Sequence, residues 1–458
     1  MLTKITSLSV ATPLLFFFLP IYLIKITIAP GISINLLELL LFFAIIANYS
    51  TTFYFLEIST ILSDFKSNKK ILLPVAIILT SFAISTILNT NYSKNNWSDS
   101  LGKYIDLLLL PILFAYSLHL LNPAIQLQIT TKFKKAFLKL LGFFPPGMTA
   151  TVAYYFSASL VSFWGIIYLL TGNLTFDNRL NIFFQSPNEL AIFLSPAMII
   201  GLSFLFGQFQ QNFFSSFFKN WLLYLSLFAI ALNIIFTKSL GALIAISIVA
   251  ILMMTQFPIV ETPFLRKILT FFNKNFKKIF LSILVLSLLA FFNLSPLLQQ
   301  LNYQPTVPAS SFDSRLTIYQ VSLAILKQHP FIGIGINHFQ DYYLLQQANF
   351  SPFPQWAVPH SHNNLIHFWL EGGLMAFLSL FWLYYIILTP NLIHKINKPL
   401  RGSIQDLKPT SKIPQYSLAQ LTLIYFIIHG LIDTSIWTPA SATFFWFTTI
   451  YYLTKPAN

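Results

Sequence analysis

Apolar runs long enough to cross a membrane follow one another along the chain, and they leave few alternatives for its fold. Twelve can be marked, at 8–29, 33–56, 71–89, 101–121, 149–172, 187–207, 221–236, 240–256, 279–297, 364–389, 416–432 and 440–454. A helix crossing hydrocarbon needs about 20 apolar residues, because its backbone polar groups must be satisfied within the segment. The chain is 56% hydrophobic and only 9% charged, which excludes an ordinary soluble domain. The expected fold class is an all-α polytopic membrane protein, a single integral membrane domain over 1–458 with about twelve transmembrane helices.

The net charge of +14 does not point to nucleic acid, because the cations are sorted by position. Of the 27 Lys and Arg, 20 fall in connections that alternate with nearly uncharged ones. This is the positive-inside pattern, and it predicts both termini and the basic loops 58–70, 122–148, 257–278 and 390–415 on the cytoplasmic side. Residues 124–144 are basic and amphipathic, as expected of a segment lying in the inner interface. The first apolar run carries no small-residue cleavage site and reads as an uncleaved span. The absence of cysteine excludes disulfides and thiolate ligands.

The opposite face then holds one sizeable aqueous element, the loop 298–363. Within it, Leu316, Val321, Leu323, Ile325 and Leu326 recur at helical spacing. They predict an amphipathic helix on the outer surface, capped by Asp313 or Ser314 and ended by Pro330. Gly333-Ile334-Gly335 resembles part of a phosphate-cradling loop, but it lacks the third glycine and the preceding strand, and it reads as a tight turn.

Five of the eight histidines lie between His329 and Gly373: His329, His338, His360, His362 and His367. An imidazole must be solvated or paired, so such a cluster at a membrane boundary favours chemistry over packing. His360 and His362 flank Ser361 just before a span that starts near Asn363. The helix dipole is expected to keep an imidazole there neutral, fit to act as a general base. The spacing His360-x-His362-x4-His367-x3-Glu371 has zinc-ligand types. His367 and Glu371 fall one and two turns into the span, away from His360, and H-E-x-x-H is absent, so no metal and no cofactor are expected.

The outer face carries few cations. Arg179, Lys238 and Arg315 each fit an interfacial anchor, but together they could converge on an anionic lipid headgroup. Glu38, Asp106, Glu189 and Glu371 fall inside predicted spans, where acids are costly. Proton relay and interhelical tie are both open for them.

Two segments carry a resemblance. RLTIYQVSLAILKQHPFIGIGINHF, from Arg315, and PHSHNNLIHFWLEGGL resemble the O-antigen ligase and polymerase superfamily, where an arginine and a helix precede P-x-x-G-x-G and a His-Asn pair opens a span with Glu-x-Gly. NRLNIFFQSPNELA is similar to the superfamily's arginine and Pro-Asn-x-x-Ala element. TKSLGALIA is similar to its Ser-Arg-Gly-like turn, with Lys238 in the arginine's place. His362, Asn363 and Gly373 fit the ligase signature, and Ala376 departs from its last position.

The resemblance implies a GT-C-like fold and a lipid A-core:surface polymer ligase in the bacterial inner membrane, with a periplasmic active site. The donor would be a glycan on undecaprenyl pyrophosphate, and the acceptor a sugar hydroxyl of lipid A-core. Transfer would be metal-independent and inverting. His362 would be the general base, with His360 in reserve or orienting it. Arg315, Arg179 and Lys238 would bind the pyrophosphate, and Asn363, Glu371, Gly333, Gly335 and Gly373 would be motif or structural residues. A polymerase extending the glycan and a protein O-oligosaccharyltransferase acting on Ser or Thr share this chemistry. A secondary transporter is the reading from another class, in which Glu189 and Glu371 would outweigh His362.

Overall fold

The computed structural model describes residues 15–29, 32–52, 58–89, 97–120, 150–208, 221–255, 263–293, 296, 311–350, 358–389 and 416–454. A 3-10 turn at Leu19–Leu23 leads into an antiparallel hairpin of β1 (Lys25–Ala29) and β2 (Ile32–Asn35). Helices follow: α1 (Leu36–Thr52), α2 (Ile58–Asn89), α3 (Trp97–Tyr104), α4 (Leu110–Leu120), α5 (Ala150–Thr171), α6 (Pro187–Gln208) and α7 (Trp221–Thr237). Then come α8 (Leu240–Met254), α9 (Pro263–Phe292), α10 (Ser311–Gln328), α11 (Phe339–Gln346), α12 (Asn364–Ile387), α13 (Leu418–His429) and α14 (Pro439–Leu453). A π turn, Ile105–Leu109, joins α3 to α4.

Among the described residues, six segments are long and apolar enough to cross a membrane: Ser63–Asn89, Ser98–Leu120, Ala150–Thr171, Pro187–Leu205, Asn273–Phe292 and Asn364–Ile387. Leu36–Ile46, Trp221–Thr237, Leu240–Met254 and Leu418–His429 are shorter apolar helices. The chain is a mainly helical multi-pass membrane protein.

The structure corrects several expectations. The first expected span, 8–29, is no continuous helix over its described part: it runs through the 3-10 turn into β1. Alternation of isoleucine with shorter residues on either side of Pro30-Gly31 makes a hairpin instead. The second span starts only at Leu36, where Asn35 Oδ1 accepts the Glu38 backbone N–H at 2.9 Å. Two basic loops are helical: 58–70 is the first part of α2, and α9 begins at Pro263. The predicted surface helix exists as α10, but it starts at Ser311, so Asp313 and Ser314 lie in its first turn. Its Ile318, Val321, Leu323, Ile325 and Leu326 pack against Phe339, Tyr343, Ile366 and Leu370. The helix is thereby fastened onto the N-terminal half of α12. The expected interfacial segment 124–144 lies outside the described residues.

Helix α12 is broken at Gly373 (φ 80°, ψ −178°). A break inside a membrane frees backbone groups that lipid cannot satisfy. The segment Phe331–Gly335 satisfies them. Leu374 N–H donates to Phe331 O at 3.0 Å, Ile334 N–H to Leu370 O at 2.7 Å, and Gly335 N–H to Glu371 O at 3.1 Å. Helix α2 completes the set, with Ser81 Oγ donating to Gly372 O at 2.6 Å and Ser85 Oγ to Glu371 O at 2.7 Å. From Asn364 to Gly373 is roughly 14 Å of helix, so this segment plugs a helix at depth rather than turning at the surface. Contact is close enough that a Cβ on Gly333 would lie 2.6 Å from Gly373 N, and one on Gly373 2.3 Å from Phe331 O.

The far end of α2 is closed differently. Asp64 Oδ1 pairs with His119 Nε2 at 3.0 Å, and His119 Nδ1 meets Thr454 Oγ1 at 2.8 Å. Pro111 has no N–H to give the carbonyl four residues earlier. That carbonyl, Leu107 O, accepts from Trp446 Nε1 at 3.0 Å instead.

Candidate active site

Four connections expected on the outer face meet through side chains. In the first, a turn closed by Thr175 N–H to Arg179 O at 2.9 Å, with Asn178 at φ 56°, directs Arg179 toward the α7–α8 connection. Arg179 Nε donates to Thr237 O at 2.7 Å, and Nη2 to Asn188 Oδ1 at 2.7 Å. Asn188, in the first turn of α6, passes the contact on: its Nδ2 donates to Asp433 Oδ2 at 2.7 Å. Asp433, between α13 and α14, holds His362 Nδ1 at 2.9 Å through its Oδ1. Arginine, asparagine, aspartate and histidine thus form one continuous polar chain.

His362 itself is strained. Its φ of 51° lies in the left-handed region, uncommon for a residue with a Cβ. The following residues fix that conformation. Asn363 caps α12, its Oδ1 accepting from Leu365 N–H at 2.9 Å and Ile366 N–H at 3.2 Å, and its Nδ2 donates to Leu431 O at 3.0 Å. Asn364 N–H donates to Gly430 O at 2.6 Å. Tyr319, on α10, donates to His362 O at 3.3 Å. The His362 side chain remains 20% exposed while Asp433 is 5% exposed, so the imidazole faces solvent and its carboxylate does not.

Electrostatics follow from this burial. Burial alone would raise the Asp433 carboxyl, but His362 beside it, their hydrogen bond, and then His360 and His429 outweigh that and hold it well below the usual carboxylate range. His360 is pushed down to about 3, first by burial and then by His362. The first cause of that lowering is desolvation, not the helix dipole invoked from the sequence. Burial raises the Tyr319 hydroxyl to about 12 against the opposing pull of the Arg315 charge.

Of the residues singled out in the sequence, Arg179, His360 and His362 meet at this site, and Arg315 stands on α10, one turn before Tyr319. The His360 and His362 rings lie 4.5 Å apart. Lys238 sits next to Thr237 and is exposed, with Nζ 3.5 Å from Asp177 O. His367 is closer to the cluster than its position in the span suggested, 6.3 Å from the His360 ring. Its Nε2 lies 3.6 Å from Glu371 Oε2, and Glu371 Oε1 accepts the Phe339 N–H at 3.2 Å. Gly333, Gly335 and Gly373 serve the helix plug. The other intramembrane acids have protein partners: Glu189 takes the Tyr22 hydroxyl at 3.3 Å, and Asn35 Nδ2 bonds both Glu38 and Asp106.

Sequence reasoning missed Asp433, Asn188 and Tyr319. Asn188 stands in the Pro-Asn element, and Asp433 is an acid in a short connection expected on the outer face, which was signal enough. Among the described residues, one group could hold a metal: His360, His362 and Asp433, with one ligand atom each, all within 4.8 Å of one another. This differs from the set read from spacing.

No curated protein matches the chain. The family model described as O-Antigen ligase matches residues 225–381, about a third of the chain, taking in the α7–α8 turn, Arg315, the helix plug and the His362–Asn363 pair. That match, with the motifs it spans, supports the likeness to the O-antigen ligase and polymerase superfamily.

Proposed function

We propose that this protein is an O-antigen ligase acting at the periplasmic face, transferring a glycan from undecaprenyl pyrophosphate to a sugar hydroxyl of lipid A-core. The observation that carries the reading is the chain Arg179–Asn188–Asp433–His362, which joins a cation to a carboxylate-held imidazole. Asp433 keeps the proton of His362 on Nδ1, so Nε2 is the atom that accepts a proton. No hydrogen bond from Nε2 is formed among the described residues. As the acceptor hydroxyl loses its proton to Nε2, its oxygen attacks the anomeric carbon and the bond to pyrophosphate breaks. In-line attack inverts that carbon.

The leaving group gathers negative charge as it departs, and fixed cations lower the barrier most at that moment. Arg179, Arg315 and Lys238 are the residues assigned to this role. Arg179 is held by two hydrogen bonds before any substrate arrives, so it loses little freedom on binding. His360, neutral beside His362, orients the base.

The test is a reconstituted transfer assay with undecaprenyl-pyrophosphate glycan and lipid A-core, comparing wild type with His362→Ala. Label on lipid A-core, lost in the variant, supports the ligase. Longer glycan still on undecaprenyl pyrophosphate replaces it with a polymerase. Transfer to a Ser- or Thr-containing protein alone replaces it with a protein O-oligosaccharyltransferase.

A further inference from the structure

We propose that His360, His362 and Asp433 form a binding site for one divalent transition-metal ion, Zn²⁺ by its donor set, and that the ion takes the place of the proton between His362 and Asp433. Two imidazole nitrogens and a carboxylate oxygen suit Zn²⁺ and leave its fourth position open. Mg²⁺ and Ca²⁺ prefer all-oxygen surroundings. The three ligand atoms already lie within 4.8 Å of one another. Tetrahedral bonds of about 2.1 Å separate ligand atoms by roughly 3.4 Å, so small side-chain rotations suffice.

Two further observations point to an ion. His360 Nδ1 is buried and makes no hydrogen bond to another described residue. A buried imidazole nitrogen without a partner is uncommon and invites a ligand. The remaining atoms of the cluster are fixed as metal ligands usually are, by outer partners. Asp433 Oδ2 takes Asn188, Asp433 Oδ1 also takes the Thr434 N–H at 2.8 Å, and the Asn363 cap holds His362 in place.

Binding involves no redox change. The hydrated ion sheds water, His362 gives up its Nδ1 proton to solvent and takes one from solvent at Nε2, so the ring stays neutral, and three coordinate bonds form. The consequence for catalysis rests on the functional reading above. A His362 bound to the metal through Nδ1 carries its proton on Nε2 and cannot serve as the base, so Zn²⁺ from the outer compartment inhibits transfer.

The experiment is calorimetric titration of untagged protein in detergent with ZnCl₂, without substrates. Wild type, His360→Ala, Asp433→Asn and the outlying His329→Ala are compared after thermal melts establish folding. One Zn²⁺ per chain is expected, bound at least about tenfold more weakly by His360→Ala and Asp433→Asn and equally by His329→Ala, since even outer partners command such factors. Absence of binding, or binding retained by both His360→Ala and Asp433→Asn, overturns the site. Transfer is followed in the same samples, and inhibition reversed by EDTA is expected. Stoichiometric binding that leaves transfer untouched overturns the inhibition. Failure of transfer in metal-free protein bears on the functional reading alone, because binding is read without substrate.

Discussion

Replacing Gly373 with alanine tests the helix plug. Two costs add. A φ of 80° with ψ near 180° is open essentially to glycine alone, at roughly 1–3 kcal/mol for another residue. The new Cβ would lie 2.3 Å from Phe331 O, so the Phe331–Gly335 segment must retreat, which costs another 1–3 kcal/mol, roughly, as overpacking. The sum is about 2–6 kcal/mol, large for one methyl group. Gly172→Ala is the control: it too sits at positive φ (68°), but nothing lies within 4 Å of its Cβ, so only the left-handed penalty of about 1–2 kcal/mol applies. Reversible denaturation in mixed micelles would measure both. Gly333→Ala breaks the same contact, so the double variant should cost less than the two singles together. Equal losses for Gly373→Ala and Gly172→Ala would show that the plug is not under tight packing, and the account of the break would fail.

Four further outcomes follow from the site. His362→Ala should lower transfer by about 10²–10⁴-fold with donor affinity little changed, measured as kcat against KM. Asn188→Ala should act on both ends of the polar chain, raising donor KM through Arg179 and lowering kcat through Asp433; an effect on neither would disconnect them. Arg315→Lys keeps the charge but loses the planar fork, and should weaken donor binding more than it changes folding, as read by binding and melting of the same preparation. His360 binds its proton at about 3 when folded and near 6.5 when unfolded. The unfolded state therefore holds more protons between those values, and stability rises with pH there, by up to about 2 kcal/mol from pH 5 to 6.5. His360→Asn should remove that slope. Asp433, held low, loses its contribution only as pH falls below the usual carboxylate range, so it adds nothing to this window.

Much of the helical membrane architecture was legible because most long helices declare themselves in apolar length, and Arg179 and His362 because they stand as polar exceptions in motifs. Partners were harder to read. Asp433 lies 71 residues from His362, and only the packing of α12 against α13 brings them within 2.9 Å. The plug was readable in part: Gly372-Gly373 in mid-span is a breaker signal. What fills the break depends on a segment some forty residues earlier, which periodicity does not link to it. Lys25 to Asn35 was misread because overall apolarity masked a period-two pattern around Pro30-Gly31.

The latch at the far end of α2 has a consequence for how the protein is made. Leu107 O finds Trp446 across 339 positions of sequence, and His119 finds Thr454 across 335. Domains emerge from the ribosome in order, so α2 and α4 enter the bilayer long before α14 exists. Until then a carbonyl and an imidazole wait in lipid without their final partners. Orientation in the membrane is settled early and packing late, and a nascent chain stopped before α14 presents the exposed polar groups by which a cell could recognise it as unfinished.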